Sequence, residues 1–268
     1  MFGSSPSSKA SSERMAALVA RIRAGELRAI SRAISFMESD PEAVSTLAQH
    51  FKGETNHGVV VGITGYPGVG KSTVVDRLID AFRVDGKRVG VLAVDISSPL
   101  TGGALLGDRV RMQRHALDEG VYIRSMATRG HAGGLARSTC HAITVLSAAG
   151  YDLILVETVG VGQEVGEITT LADVVVVIVA PGLGDEIQAM KAGLFEVAHL
   201  VVVNKADHPE AQATIATLRR WIQPVLATVA VKGEGIPELK EAILSLASQS
   251  SASPVPSDVS AGGDGATT

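Results

Sequence analysis

Apolar positions along this chain fall into two alternating kinds of run. Val59-Val60-Val61-Gly62-Ile63-Thr64, Arg88 to Val94, Val121 to Ser125, Asp152 to Val156, Asp173 to Val179, Leu200 to Val203 and Pro224 to Ala230 are short and nearly continuous in Val, Ile and Leu. Such runs suit strands buried on both faces. Between them, Ser72 to Phe82, Leu135 to Ala149, Pro209 to Trp221 and Pro237 to Ala247 carry apolar residues at helical spacing. This alternation predicts an α/β fold, a mostly parallel sheet covered by helices on both faces. Upstream, Leu18, Ile22, Leu27, Ile30, Ile34 and Met37 predict helix from Glu13 to Glu38, broken at Gly25. A second helix is expected over Pro41 to Phe51, with Asp40 as N-cap and Pro41 at the first position. The pattern divides the chain into a disordered start (1–12), a helical extension (13–56), an α/β domain (57–247) and a disordered Ser/Ala/Pro/Gly-rich tail (248–268). The extension is expected to pack on the domain's flank.

Composition narrows the class. The 268 residues carry a net charge of −4 and are 46% hydrophobic. The core is therefore substantial, and a non-specific nucleic-acid binder, with its basic face, is disfavoured. One cysteine, Cys140, leaves no intrachain disulfide. No apolar run reaches the ~18 residues that span a membrane. Arg21, Arg23, Arg28 and Arg32 lie on the helical pattern, but Glu13, Glu26 and Glu38 count against a transit peptide. The expected location is the cytoplasm.

Chemistry enters at Gly65-Tyr66-Pro67-Gly68-Val69-Gly70-Lys71-Ser72-Thr73, which fits G-x-x-x-x-G-K-[ST] at every fixed position. Its glycines allow backbone N–H groups to turn toward phosphate oxygens. Lys71 is placed to neutralise the β- and γ-phosphates, and the Ser72 hydroxyl to ligate Mg²⁺. A strand before the loop and a helix after it give the order that a phosphate-binding loop requires.

A triphosphate site also needs metal-binding acids at strand ends. Asp95 follows Val91-Leu92-Ala93-Val94, Glu157 follows Leu153-Ile154-Leu155-Val156, and Asp108 lies on the loop between. In Glu157-Thr158-Val159-Gly160 the Gly160 N–H can meet a γ-phosphate, and Gln163 can orient an attacking water. Asn204-Lys205-Ala206-Asp207 follows the apolar Val201-Val202-Val203. The Asp207 carboxylate matches the N1–H and N2–H₂ donors of guanine, and adenine offers no such pair, so GTP and GDP are the expected nucleotides. Thr228 to Gly233 occupies the place of the last guanine-contacting loop. A Ser-Ala pair is commoner there, but the N–H groups of Val229, Ala230 and Val231 can serve. His131, His141 and Cys140 lack the spacing of a metal site.

Longer blocks resemble one group of GTPases, the ArgK/MeaB-type chaperones of adenosylcobalamin-dependent acyl-CoA mutases. They are Asp95 to Arg109, Arg124 to Leu135, Glu157 to Gln163 and Asp185 to Gly193, within a match from about Arg21 to Ala247. The resemblance implies a GTPase, slow alone and partner-stimulated, that binds GTP–Mg²⁺ through Gly65 to Thr73, Asp95, Asp108 and Glu157. It implies guanine reading by Asn204 to Asp207, a part in hydrolysis for Arg111, and a mobile coupling loop at Asp185 to Lys191. Adenosylcobalamin is expected on the partner, an acyl-CoA mutase for methylmalonyl-, isobutyryl- or 2-hydroxyisobutyryl-CoA; a cobalamin adenosyltransferase is a second candidate partner. Ile96 stands where the family has proline, and Ala132 replaces a larger apolar residue. The low-complexity end implies a short form without the family's C-terminal dimerisation arm, which leaves a homodimer open. Two other readings stand beside this one, a metallochaperone GTPase for a nickel enzyme and a kinase using the same phosphate loop.

Overall fold

The computed structural model describes residues 6–51, 58–95, 113–127, 134–158, 164–183 and 193–250. Three helices come first: α1 (Pro6–Arg23), α2 (Leu27–Ser39) and α3 (Pro41–Phe51). The α/β part follows as β1 (Val59–Thr64), α4 (Lys71–Val84), β2 (Val89–Asp95), β3 (Val121–Ala127), α5 (Gly134–Ala148) and β4 (Leu153–Thr158). It continues as α6 (Glu164–Thr169), β5 (Val174–Val179), α7 (Leu194–Val197), β6 (Leu200–Val203), α8 (Ala211–Leu218), β7 (Val225–Ala227) and α9 (Ile236–Ser250).

The strands form a seven-stranded sheet in the order β3-β2-β4-β1-β5-β6-β7. Neighbours pair in parallel throughout, as the continuous Val/Ile/Leu runs require. β1 lies in the middle, with β4, β2 and β3 on one side of it and β5, β6 and β7 on the other. In open parallel sheets such a reversal of strand order creates the crevice, at the carboxyl ends of the strands, where ligands bind.

Alternate residues of each strand serve opposite layers. Val61, Ile63, Val176 and Ile178 pack with Val74, Leu78, Ile79 and Phe82 of α4 and Leu239 and Ile243 of α9. Val60, Ile154 and Val156 face the other way, toward Val145 and Leu146 of α5. The same layer holds Ile22 of α1, Ile30 and Ile34 of α2, and Leu47 of α3, so the extension packs on the flank of the sheet. Each fully buried aliphatic side chain contributes about 1.5–3 kcal/mol.

Element ends differ from expectation in instructive places. α1 begins at Pro6, inside the stretch expected to lack structure, because backbone helix bonds continue upstream of the first periodic apolar residue. Gly25 does break the helix, at φ 74°, and its turn lies on the Arg88 guanidinium. Asp40 joins two helices: its N–H donates to Phe36 O at 3.0 Å, and its carbonyl accepts from Val44 N–H at 3.4 Å. α9 runs to Ser250, into the stretch assigned to the tail, and residues 251–268 lie outside the described residues. Among the described residues no helix is long and apolar enough to cross a membrane.

Candidate functional site

The phosphate loop leaves β1 at the sheet's centre. Gly65 takes φ 144°, and a Cβ there would sit 2.1 Å from Ile178 O of β5, so only glycine fits the close approach of these two backbones. Gly70 takes φ 95° and is the N-cap of α4, with no side-chain capping bond. The first-turn N–H groups of α4 therefore face the loop's concavity, where an anion satisfies them.

Lys71, the first residue of α4, is 8% exposed. Its Nζ donates to Gly65 O at 2.9 Å and Tyr66 O at 3.1 Å, so the ammonium is held inside the loop. The next residue, Ser72, donates from Oγ to Glu157 Oε1 at 2.8 Å. Glu157 is 4% exposed on β4, in register with Ile63 of β1 and Ala93 of β2. Two hard oxygen donors thus meet beside the phosphate cradle. That donor set suits Mg²⁺, which takes one or two protein oxygens and fills its shell with phosphate oxygens and water. Among the described residues no three His, Cys, Asp or Glu side chains gather to form an all-protein cage. Asp95 ends β2, but its side chain lies outside the described residues. Asp108, Arg111, Gly160, Gln163 and the Asp185 to Lys191 block lie outside them altogether.

The second motif arrives from β6. Asn204 is 4% exposed, and its amide makes contacts in two directions. Nδ2 donates to Val69 O of the phosphate loop at 2.9 Å. Oδ1 accepts from Thr228 Oγ1 at 3.1 Å and from Ala230 N–H at 3.1 Å. Lys205, at φ 57°, donates from Nζ to Gly68 O at 2.8 Å. Both residues therefore hold the phosphate loop while Asp207 stays half exposed, its Oδ2 3.5 Å from Lys232 Nζ. A cleft of about 270 Å³ opens between Gly68, Pro181, Lys205 and His208.

The last loop is shaped differently from the sequence expectation. β7 ends at Ala227, and Ala230 to Lys232 form a 3₁₀ turn, not the continuation of a strand. Asn204 takes the Ala230 N–H, and Arg77 of α4 takes the carbonyls of Ala230 and Val231, at 3.0 and 2.9 Å. Val229 pairs with Glu234 across the turn, and Val231 is left 68% exposed. Arg77 was not anticipated as a contributor, and Thr228 and Lys232 were expected only as part of the loop. Arg77 lies six residues after Lys71 with nothing in its neighbourhood to mark it, whereas Thr228 and Lys232 sit within the expected loop.

Comparison with known proteins agrees with this geometry. The chain is 49% identical over 239 residues to a protein of Pyrococcus abyssi described as a GTPase, covering 84% of this chain and 74% of that one. It is 36% identical over 248 residues to the GTPase ArgK of Escherichia coli, covering 86% of this chain and 75% of that one. A crystal structure described as LAO/AO transport system kinase superposes with a TM-score of 0.70 at 27% identity, covering 89% of this chain and 76% of the other. The family described as "Methylmalonyl Co-A mutase-associated GTPase MeaB" matches residues 30–254. With the loop at Gly65 to Thr73 tied through Asn204 to the segment that follows β6, this chain is a GTPase of the MeaB family.

Proposed function

We propose that this GTPase is a nucleotide-timed chaperone that gates adenosylcobalamin loading and protection of an acyl-CoA mutase. The observation that carries the reading is Asn204, which joins the phosphate loop to the base loop in one buried contact set. A site tied in this way reports the nucleotide's base and phosphates to a single rigid unit, as a switch requires. The family's description as mutase-associated supports the partner. Methylmalonyl-CoA mutase comes first, and isobutyryl- and 2-hydroxyisobutyryl-CoA mutases are the alternatives.

The described residues divide the work. The α4 N-terminus and the N–H groups of Gly68 to Lys71 bind the phosphates. Lys71 leaves Gly65 O and Tyr66 O to neutralise the β- and γ-phosphates. Ser72 and Glu157 would hold Mg²⁺, with Asp95 and Asp108 as further oxygen donors. When bound there, the ion would supply charge neutralisation on the phosphate oxygens. Asp207 turns from Lys232 to accept the guanine N1–H and N2–H₂ donors, and the backbone of Val229 to Val231 closes over the base. Gln163 is assigned the attacking water, Gly160 N–H the γ-phosphate, and Arg111 the charge that develops there. Water attacks the γ-phosphorus, its β–γ bridging bond breaks, and GDP and phosphate leave.

The test is hydrolysis of γ-labelled GTP with and without purified methylmalonyl-CoA mutase. Free labelled phosphate, released slowly alone and at least several-fold faster with the mutase, is expected. Label on a second molecule would identify a kinase, and a rate indifferent to methylmalonyl-CoA mutase, and then to the isobutyryl- and 2-hydroxyisobutyryl-CoA mutases assayed in the same way, would remove them as partners.

A further inference from the structure

Cationic charge is unevenly matched in this protein. Arg83 binds Asp118, Arg114 binds Asp76 and Asp80, and Arg124 binds Glu38. On α1 and α2 the pattern differs. Arg21 pairs with Glu26, but Arg14, Arg28 and Arg32 are exposed and make no ion pair among the described residues. The chain as a whole is acidic, at −4. Arg14, Arg28 and Arg32 thus gather exposed positive charge on these two helices without a paired carboxylate among the described residues, as Arg219 and Arg220 do at the end of α8.

Arg14 and Arg32, with the Glu26-paired Arg21, border an apolar groove. Between α1 and α2 lies a hollow of about 550 Å³ floored by Met15, Leu18 and Phe36 and rimmed by Arg14, Arg21 and Arg32. Arg14, Leu18 and Arg21 fall at i, i+4 and i+7 of α1, one face of the helix. Arg32 and Phe36 fall at i and i+4 of α2, the face that lines the hollow, with Arg28 one turn further toward the helix start. Phe36 and Leu27 are each 40% exposed. Met15 and Leu18 continue inward onto the layer containing Ile22, Ile30 and Ile34, so the floor is rigidly supported. The groove shares no residue with the nucleotide site, whose helix α4 lies on the opposite face of the sheet.

Shape and charge together define the occupant. Arg14 to Arg21 spans about 10 Å, two helical turns, and a hollow bordered by two helices accepts the ridge of a third. A flat bilayer would meet the arginines and leave the recessed floor unfilled. An apolar stripe fits the floor, and carboxylates beside it meet the unmatched arginines. We propose that the α1–α2 groove docks an acidic amphipathic helix of the acyl-CoA mutase, an assignment that rests on the mutase being the partner. Opposite charge then sets encounter rate and orientation, and the apolar stripe holds the complex.

The experiment uses the full chain and the methylmalonyl-CoA mutase holoenzyme. The double variant Arg14→Glu/Arg32→Glu alters two exposed side chains that the fold does not use. It is expected to bind the mutase about tenfold more weakly or worse, with a flatter salt dependence, and to hydrolyse GTP alone at the unchanged rate. Arg14→Lys/Arg32→Lys is expected to restore binding. Wild-type binding matched by an equally strong Glu variant overturns the groove as the docking site and leaves the mutase as partner. A wild-type chain that binds no mutase overturns the partner reading, and this assignment with it. Sedimentation of the wild type, but not the Glu variant, with phosphatidylglycerol vesicles, alongside unaltered mutase binding, reassigns the groove to a lipid surface and overturns the proposal.

Discussion

Asn204 Nδ2 donates to Val69 O at 2.9 Å, so the motif that follows β6 holds the loop that follows β1. The same side chain receives Thr228 Oγ1 and the Ala230 N–H on its other end. Three segments far apart in sequence thus depend on one buried amide. Asn204→Ala leaves the Val69 carbonyl and the Ala230 N–H without this partner, at about 1–3 kcal/mol for each buried group left unpaired. Thermal unfolding is expected to show a loss of about 2–6 kcal/mol, and GDP and GTP are expected to dissociate faster together. Weakening confined to one of the two nucleotides would contradict the coupling.

Arg77 offers a more selective test, because besides Asp80 of its own helix it holds only the turn on the base side. Its guanidinium holds the Ala230 and Val231 carbonyls, so Arg77→Ala frees the turn without altering the phosphate loop. Stopped-flow nucleotide release is expected to quicken about three- to tenfold, in line with losing charge-assisted bonds at a partly exposed site. Turnover at saturating GTP is expected to stay the same. An unchanged release rate would show that the turn holds its shape without Arg77.

These two residues also mark the boundary of what sequence reasoning reaches. The strands were legible because their Val and Ile runs are continuous, and β1 and β6 fall where the runs begin and end. Gly65, Gly70, Lys71 and Ser72 were legible because phosphate chemistry restricts residue type at fixed spacing. The last loop was not. Ala227 to Ala230 read as strand, yet the Ala230 backbone is drawn out of the ladder by side chains 26 and 153 positions away. No local pattern encodes such contacts. The short α6 and α7 were missed for a related reason, since one or two turns carry too little periodicity to register.

Acid sensitivity has a local source at the end of α4. Arg83 hydrogen-bonds Asp118 through two nitrogens, at 2.8 and 2.9 Å, and holds that carboxyl below the usual carboxylate range. A depressed folded value means the pair stabilises the protein fully above the unfolded value near 4 and loses that contribution as pH falls through the lower folded value. Both side chains are about a third exposed or less, so the effect is about 1 kcal/mol at most. Denaturant titrations at pH 7 and pH 3 are expected to show a smaller acid loss for Arg83→Gln than for the wild type. An equal loss would assign the acid sensitivity to other carboxylates.

The central claim is that this MeaB-family chain reads guanine through Asp207 at the end of the β6 motif. Competition between GTP and XTP for the Asp207→Asn variant tests it most directly. Asparagine presents an amide donor where aspartate presents a second acceptor, matching the xanthine carbonyl and mismatching the guanine amino group. The account predicts a preference reversed toward XTP by about tenfold or more, the scale of a lost charge-assisted bond, in a variant that melts like the wild type. A variant that still prefers GTP would contradict it.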